Sequence, residues 1–212
     1  MVEAFRKWEA DDEAGDEALG DLLANLRGEG ESSELMRAGT AFHKALETAT
    51  TGVELAELVA DGYTFCITDS LEIGLCEIRE LRASKTYVVD DEPITISGQV
   101  DQLEGRRVED HKTTGRFDAE RYMTGYQWRL YLDIFGADHF RWNVFEIAAM
   151  DEPKCYQVYA QHRLEQFRYP GMEADCLALV TRFARFVREH LRPAPSLTDL
   201  LQRSIEQVKV AA

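Results

Sequence analysis

With 212 residues, 39 of them acidic against 24 basic, the chain holds enough material for one domain with a buried core and carries a formal net charge of −15. That balance excludes nonspecific coating of nucleic acid by the surface as a whole, because phosphate affinity depends on Lys and Arg. No apolar run approaches the length of a bilayer span, and the opening MVEAFRKWEADDEAG turns acidic where a secretory leader needs its apolar stretch, so a soluble, cytoplasmic protein without a membrane partner is expected.

The acidity is uneven, with about −13 in residues 1–80 and about −2 in the remainder. Residues 9–34 form an acidic segment whose apolar group LGDLLANL predicts a short helix between polar edges. We read 1–34 as an N-terminal segment and 35–212 as the domain proper. From Ser33 the pattern changes: SELMRAGTAFHKALETA has apolar residues at helical spacing, and Gly39, His43 and Glu47 fall four apart on one face.

Branched and aromatic runs follow. YTFCITD, LEIGLCEIREL, KTYVVD and ITISGQVDQL read as strands, with turn signals at DG and DDEP. The next hairpin closes through EGRR. FDAERYMTGYQWRLYLDIFG then predicts one helix with Asp118 as N-cap and Gly136 as stop. HFRWNVFEIAAM and KCYQVYAQHRL alternate as strands, GMEADCLALVTRFARFVREH is an amphipathic helix, and SLTDLLQRSIEQV is a shorter one. Strands in the middle with helices before and after imply a single α/β domain, a central mixed sheet flanked by helices. Cys66, Cys76, Cys155 and Cys176 form no C-x-x-C pair, which argues for reduced cysteines and against a zinc ribbon, a redox motif or a disulfide framework.

GQVDQLEGRRVEDHKTT, residues 98–114, carries the chemistry. Residues two apart on a strand share a face, so Asp110 and Lys112 point together while Glu109 and His111 point the other way. If the turn centres on Glu104–Gly105, Asp101 is diagonal to Asp110; if on Gly105–Arg106, it is directly opposite. Facing acids destabilise a hairpin by up to about 1 kcal/mol, so they call for a cation: Lys112, or a divalent metal such as Mg²⁺ or Mn²⁺. Gln127 and Tyr131, four apart, share one face of the helix that follows.

The strings GQVD and VEDHKTT, with GTAFHKALE upstream and QWRLY downstream, resemble the PD-(D/E)xK nuclease superfamily in its RecB-like exonuclease branch. The resemblance spans roughly residues 36–150. It implies a restriction-endonuclease-like core, His43, Asp101 and Asp110 as metal ligands with the main-chain carbonyl of His111, and Lys112 as the residue holding or helping to deprotonate the attacking water. Gln127 and Tyr131 match the family's Q-x-x-x-Y element, and Glu80 a secondary acidic position. The cysteines lack the arrangement of the iron–sulfur branch, so no cluster is expected.

The expected activity is a metal-dependent DNA nuclease, an exonuclease in type, leaving 5′-phosphate and 3′-hydroxyl ends. DNA is the expected partner, with a recombination, helicase or single-strand-binding protein beside it. Arg106, Arg107, Arg116, Arg121 and Arg129 form a local basic stripe for the backbone, and Tyr122, Tyr126 and Trp128 lie near it. The alternatives are a non-catalytic acidic assembly protein that keeps the fold, and a phosphoesterase acting on nucleotides.

Overall fold

The structure, a computed structural model, describes residues 1–29, 32–52 and 55–191. The helix expected over SLTDLLQRSIEQV lies outside them. In chain order the elements are α1 (Val2–Glu9), α2 (Asp16–Arg27), α3 (Glu34–Thr48), β1 (Glu57–Ala60), β2 (Tyr63–Ile67), β3 (Ile78–Val89), β4 (Glu92–Glu104) and β5 (Arg107–Thr114). They continue with α4 (Ala119–Met123), α5 (Gln127–Phe135), β6 (His139–Ala149), β7 (Cys155–Phe167) and α6 (Met172–His190).

The strands form one seven-stranded sheet in the order β1-β2-β7-β6-β5-β4-β3. It is mixed: β2 pairs with β7 and β5 with β6 in parallel, and the other neighbours are antiparallel. Successive residues of β6 face opposite sides. Phe140, Trp142 and Val144 enter one apolar core, closed by α1, α2, α5 and α6; Phe145 and Ile147 enter the other, closed by Ala38, Phe42, Ala45 and Leu46 of α3. The chain is thus a single α/β domain. Within the expected N-terminal segment 1–34, Phe5 and Leu22 belong to the first of these cores.

Local signals explain most boundaries. Ser33 caps α3 through its hydroxyl, which accepts from the Met36 N–H at 3.2 Å. Asp90 and Asp91 turn β3 into β4 with φ of 51 and 62, the left-handed pair that suits a two-residue hairpin and that Asp tolerates. Two expectations change. The helix foreseen over 117–136 is broken into α4 and α5, because Gly125 packs against Glu3 of α1 and the Tyr126 N–H donates to Glu3 Oε2 at 2.8 Å. LEIGLCE is no strand; its Leu71, Ile73 and Leu75 lie instead against the α3-side core, while EIREL and KTYVV merge into β3.

One irregularity positions the site. Lys85 and Tyr87 of β3 reach Asp133 of α5, each at 2.7 Å, but Arg79, six residues before Lys85, bonds the Leu46 and Ala49 carbonyls at the end of α3 at 2.8 and 2.7 Å. In β4, Gly98 lies under Tyr131 of α5, whereas the Gln102 amide turns to the ring of His111, which packs edge-on against Phe145 of the opposite core. Regular alternation would keep each pair on one face. Both strands therefore exchange faces between the paired rows Leu81↔Val100 and Arg79↔Gln102, with Glu80 and Asp101 between those rows and outside the paired register. Glu80 has φ 53, a left-handed backbone that costs about 1–2 kcal/mol in an L-residue. These two acids stand where the sheet's regularity is broken.

Candidate active site

The hairpin adopts the second of the two registers. β4 pairs with β5 through Glu104↔Arg107, Leu103↔Val108 and Gln102↔Glu109, leaving Gly105 and Arg106 as a two-residue turn with Gly105 at φ 58. The paired register stops one residue short of Asp101 and Asp110. Glu80, Asp101 and Asp110 come next on β3, β4 and β5, and the charge of Asp101 raises both of the other carboxyls.

Each acid of the pair has a different partner. Asp110 is buried and lies 2.6 Å from Lys112 Nζ; its Oδ1 accepts from Gln127 Nε2 at 3.2 Å. Asp101 accepts from His43 Nδ1 at 3.1 Å and from the His111 backbone N–H. Two carboxylates forced together split their proton affinities. Burial pushes the Asp110 carboxyl up, with Lys112 opposing and Asp101 adding to the rise. Burial also works against charge on Asp101, yet the hydrogen bond and charge of His43 outweigh it and hold that carboxyl below its ordinary value. For Lys112 burial opposes the ammonium, but Asp110 beside it prevails and the pKa rises. His43 is likewise raised, burial being outweighed by Asp101.

The other expected residues divide. Tyr131 lies over Gly98, where an added Cβ would meet its ring at 2.9 Å; burial and the Asp110 charge raise its phenol. Glu80 accepts from Gln99, and its carboxyl is raised by burial, with Gln99 opposing and Asp101 adding. The His111 ring belongs to the core, 2 % exposed, and burial lowers its pKa to about 4. That ring therefore takes no part in the site; its backbone does.

Of the five arginines expected on DNA, three are engaged. Arg106 pairs with Asp138, Arg107 with Glu104 and Glu109, and Arg129 donates to the Gly125 carbonyl and lies over the Tyr126 and Trp128 rings, 4.4 Å from each centroid. Arg116 and Arg121 are exposed and form no ion pair among the described residues. Trp128 is buried, a packing residue. Sequence reasoning missed Gln102, fully buried, whose amide links His111, the Cys76 N–H and the Gly74 carbonyl. It also missed Glu3, which caps the helix carrying Gln127 from 123 residues away, a distance at which no local pattern signals contact.

The donor set suits a divalent ion in chemistry. Asp110 Oδ2 is buried with the Lys112 ammonium 2.6 Å away, so this oxygen already faces a cation. His43 Nδ1 lies 3.1 Å from Asp101 Oδ1, so an ion held jointly by this imidazole and Asp101 would have to replace that hydrogen bond. The ligand atoms of His43, Asp101 and Asp110 do not, however, all come within 4.8 Å of one another; among the described residues the trio that does is Cys76, Glu104 and Glu109. There Glu109 Oε1 already accepts from Arg107 at 2.6 Å and Oε2 from Asn143 at 2.7 Å, and guanidinium charge takes the place of a metal.

No family model and no curated protein matches the chain. Among solved structures, one described as the crystal structure of SSO0001 is similar over 51 % of this chain and 50 % of its own, at 17 % identity and a TM-score of 0.39. The chain thus spans about half the length of that protein, and a likeness of this extent carries no argument about family or activity.

Proposed function

We propose that the chain is a divalent-metal-dependent DNA nuclease of the PD-(D/E)xK type, working in the cytoplasm and leaving 5′-phosphate and 3′-hydroxyl ends. The observation that supports it most is the Asp110–Lys112 pair at 2.6 Å, with Asp101 beside it and Gln127 hydrogen-bonded to the same aspartate. An exposed salt bridge would need neither the burial of Asp110 nor the second acid.

His43, Asp101 and Asp110 would hold Mg²⁺ or Mn²⁺, which supplies Lewis-acid charge against phosphoryl oxygens and lowers the pKa of water. Lys112, held protonated by Asp110, orients the attacking water and offsets charge in the transition state; a raised pKa makes it a poor general base. Gln127 fixes the Asp110 carboxylate, and the His111 N–H fixes Asp101. Glu80 adds a further carboxylate within reach of the Asp101 charge.

Incubation of linear and circular DNA with Mn²⁺ or Mg²⁺ tests the reading. Linear DNA is expected to be degraded, EDTA to stop the reaction, and Asp110→Ala and Lys112→Ala each to abolish it, with circles surviving if the enzyme needs ends. Activity that survives both substitutions, or none with any divalent metal, would overturn it.

A further inference from the structure

We propose that Phe117, Tyr122 and His162, flanked by Arg116 and Arg121, form a track for an unpaired DNA strand running outward from Lys112; the idea rests on the nuclease reading and specifies its substrate. Three rings lie nearly parallel, two of them five residues apart beside and on α4 and the third on β7. Phe117 stacks on His162 with centroids 3.8 Å apart and planes 5° apart, and on Tyr122 at 6.3 Å and 16°. All three keep partial access to solvent.

The stack is held from beneath. Glu146 accepts the Phe117 N–H at 2.9 Å through Oε1 and His162 Nε2 at 2.8 Å through Oε2. Those two bonds, the histidine's first, keep the Glu146 carboxyl below its ordinary value, so it accepts from both. Apolar packing alone requires no such clamp on a surface histidine.

Its position is fixed by register. Lys112 pairs with Val144, and Val144 with His162, so the stack begins two strands from the catalytic lysine, ~10 Å along the sheet. Tyr122 follows on α4, five residues after Phe117, half-buried with its phenol raised by burial. Arg116 and Arg121 immediately precede Phe117 and Tyr122 in sequence, and theirs are the two stripe guanidiniums with neither an ion pair nor a hydrogen bond among the described residues, whereas Arg129 is held by the Gly125 carbonyl and the Tyr169 hydroxyl. Unpaired cations beside the site are notable in a chain with 39 acids.

An unpaired strand offers both kinds of group that this arrangement receives, exposed base faces for the rings and phosphates for the arginines. A duplex keeps its base faces stacked inside. The surface therefore favours single-stranded DNA, or a frayed end, over intact duplex.

Fluorescence anisotropy in EDTA, with a labelled 20-mer strand, its blunt duplex and an abasic 20-mer as probes, tests this. The full-length protein is expected to bind the strand roughly tenfold more tightly than the abasic backbone. Phe117→Leu and His162→Ala should erase that preference without changing the salt dependence. Arg116→Ala and Arg121→Ala should each reduce the slope of log K against log salt by about 0.7. Phe117→Trp should retain strand binding if the ring stacks on bases, whereas a ring that only fills space would not tolerate it; circular dichroism melts identify any variant that fails to fold.

Equal affinity of the wild type for strand and abasic backbone, or no binding to either, would overturn the track, as would a Phe117→Leu variant that binds like wild type. Lys112-dependent hydrolysis without strand preference would sink the track alone. Strand preference without any hydrolysis would sink the nuclease reading alone.

Discussion

At the scale of single residues, the site is a problem of two acids answered by four polar groups. Asp110 faces Lys112 and Gln127; Asp101 faces His43 and the His111 N–H. The role of Gln127 can be separated from mere packing. Gln127→Ala removes the 3.2 Å bond that orients Asp110 and, on the proposed nuclease activity, is expected to lower kcat about tenfold with KM unchanged. Gln127→Glu sets a carboxylate against a carboxylate and should also cost about 1–3 kcal/mol of stability, read as a lower urea midpoint. If alanine and glutamate variants lose stability equally, repulsion from Asp110 is not the cause. Asp110 and Lys112 were legible from the two-residue period of a strand, and Gln127 and Tyr131 from the four-residue spacing of a helix. The arginine stripe was legible only as composition. A count of charges does not say that Asp138, Glu104 and Glu109 capture Arg106 and Arg107, or that the Gly125 carbonyl and Tyr169 hydroxyl hold Arg129, which leaves Arg116 and Arg121 as the stripe guanidiniums without a partner among the described residues.

At the scale of elements, two glycines of the site strings have a physical reason. A Cβ on Gly98 would meet the Tyr131 ring at 2.9 Å, so the strand carrying Asp101 makes room for the helix bearing Gln127. A Cβ on Gly39 would stand 2.7 Å from Thr113 Oγ1, so α3 can approach β5 closely enough for His43 to reach Asp101. In an open helix Gly→Ala gains about 1 kcal/mol. Here Gly39→Ala should instead cost about 1–3 kcal/mol by overpacking against a stiff β-branched side chain. On a Thr113→Ala background the sign should reverse, giving a coupling of at least about 1 kcal/mol in a double-mutant cycle of denaturation midpoints. Additive effects would mean that the contact between α3 and β5 does not set this spacing. The helices α3 and α6 were readable from apolar periodicity. The break at Gly125 was not, because Glu3 imposes it from the far end of the chain, and LEIGLCE misled because its apolar residues pack against the α3-side core without a strand partner.

At the scale of the whole molecule, the acidic N-terminal segment is structurally part of the domain it precedes. Phe5 is 3 % exposed, with its ring 5.5 and 5.0 Å from those of Phe183 and Phe186 on α6, and Arg182 pairs with Glu9 at 2.7 Å. Val2, Phe5 and Trp8 form the apolar stripe of an eight-residue helix, too short to be stable alone, so its sequence gives little warning of a core role. Its burial also holds Glu3 at the start of α5 and so ties the chain's first turn to Gln127. Truncating a buried Phe to Ala typically costs about 3–5 kcal/mol, a large part of the 5–15 kcal/mol that stabilises a domain. Phe5→Ala should therefore lower the urea midpoint of one cooperative transition followed by the fluorescence of Trp8, Trp128 and Trp142, with the slope unchanged. A segment folding apart from the sheet would give a different record: an early transition seen at Trp8, and a main transition at the wild-type midpoint. That second outcome would detach α1 from the core and remove Glu3 from any part in fixing the helix that carries Gln127.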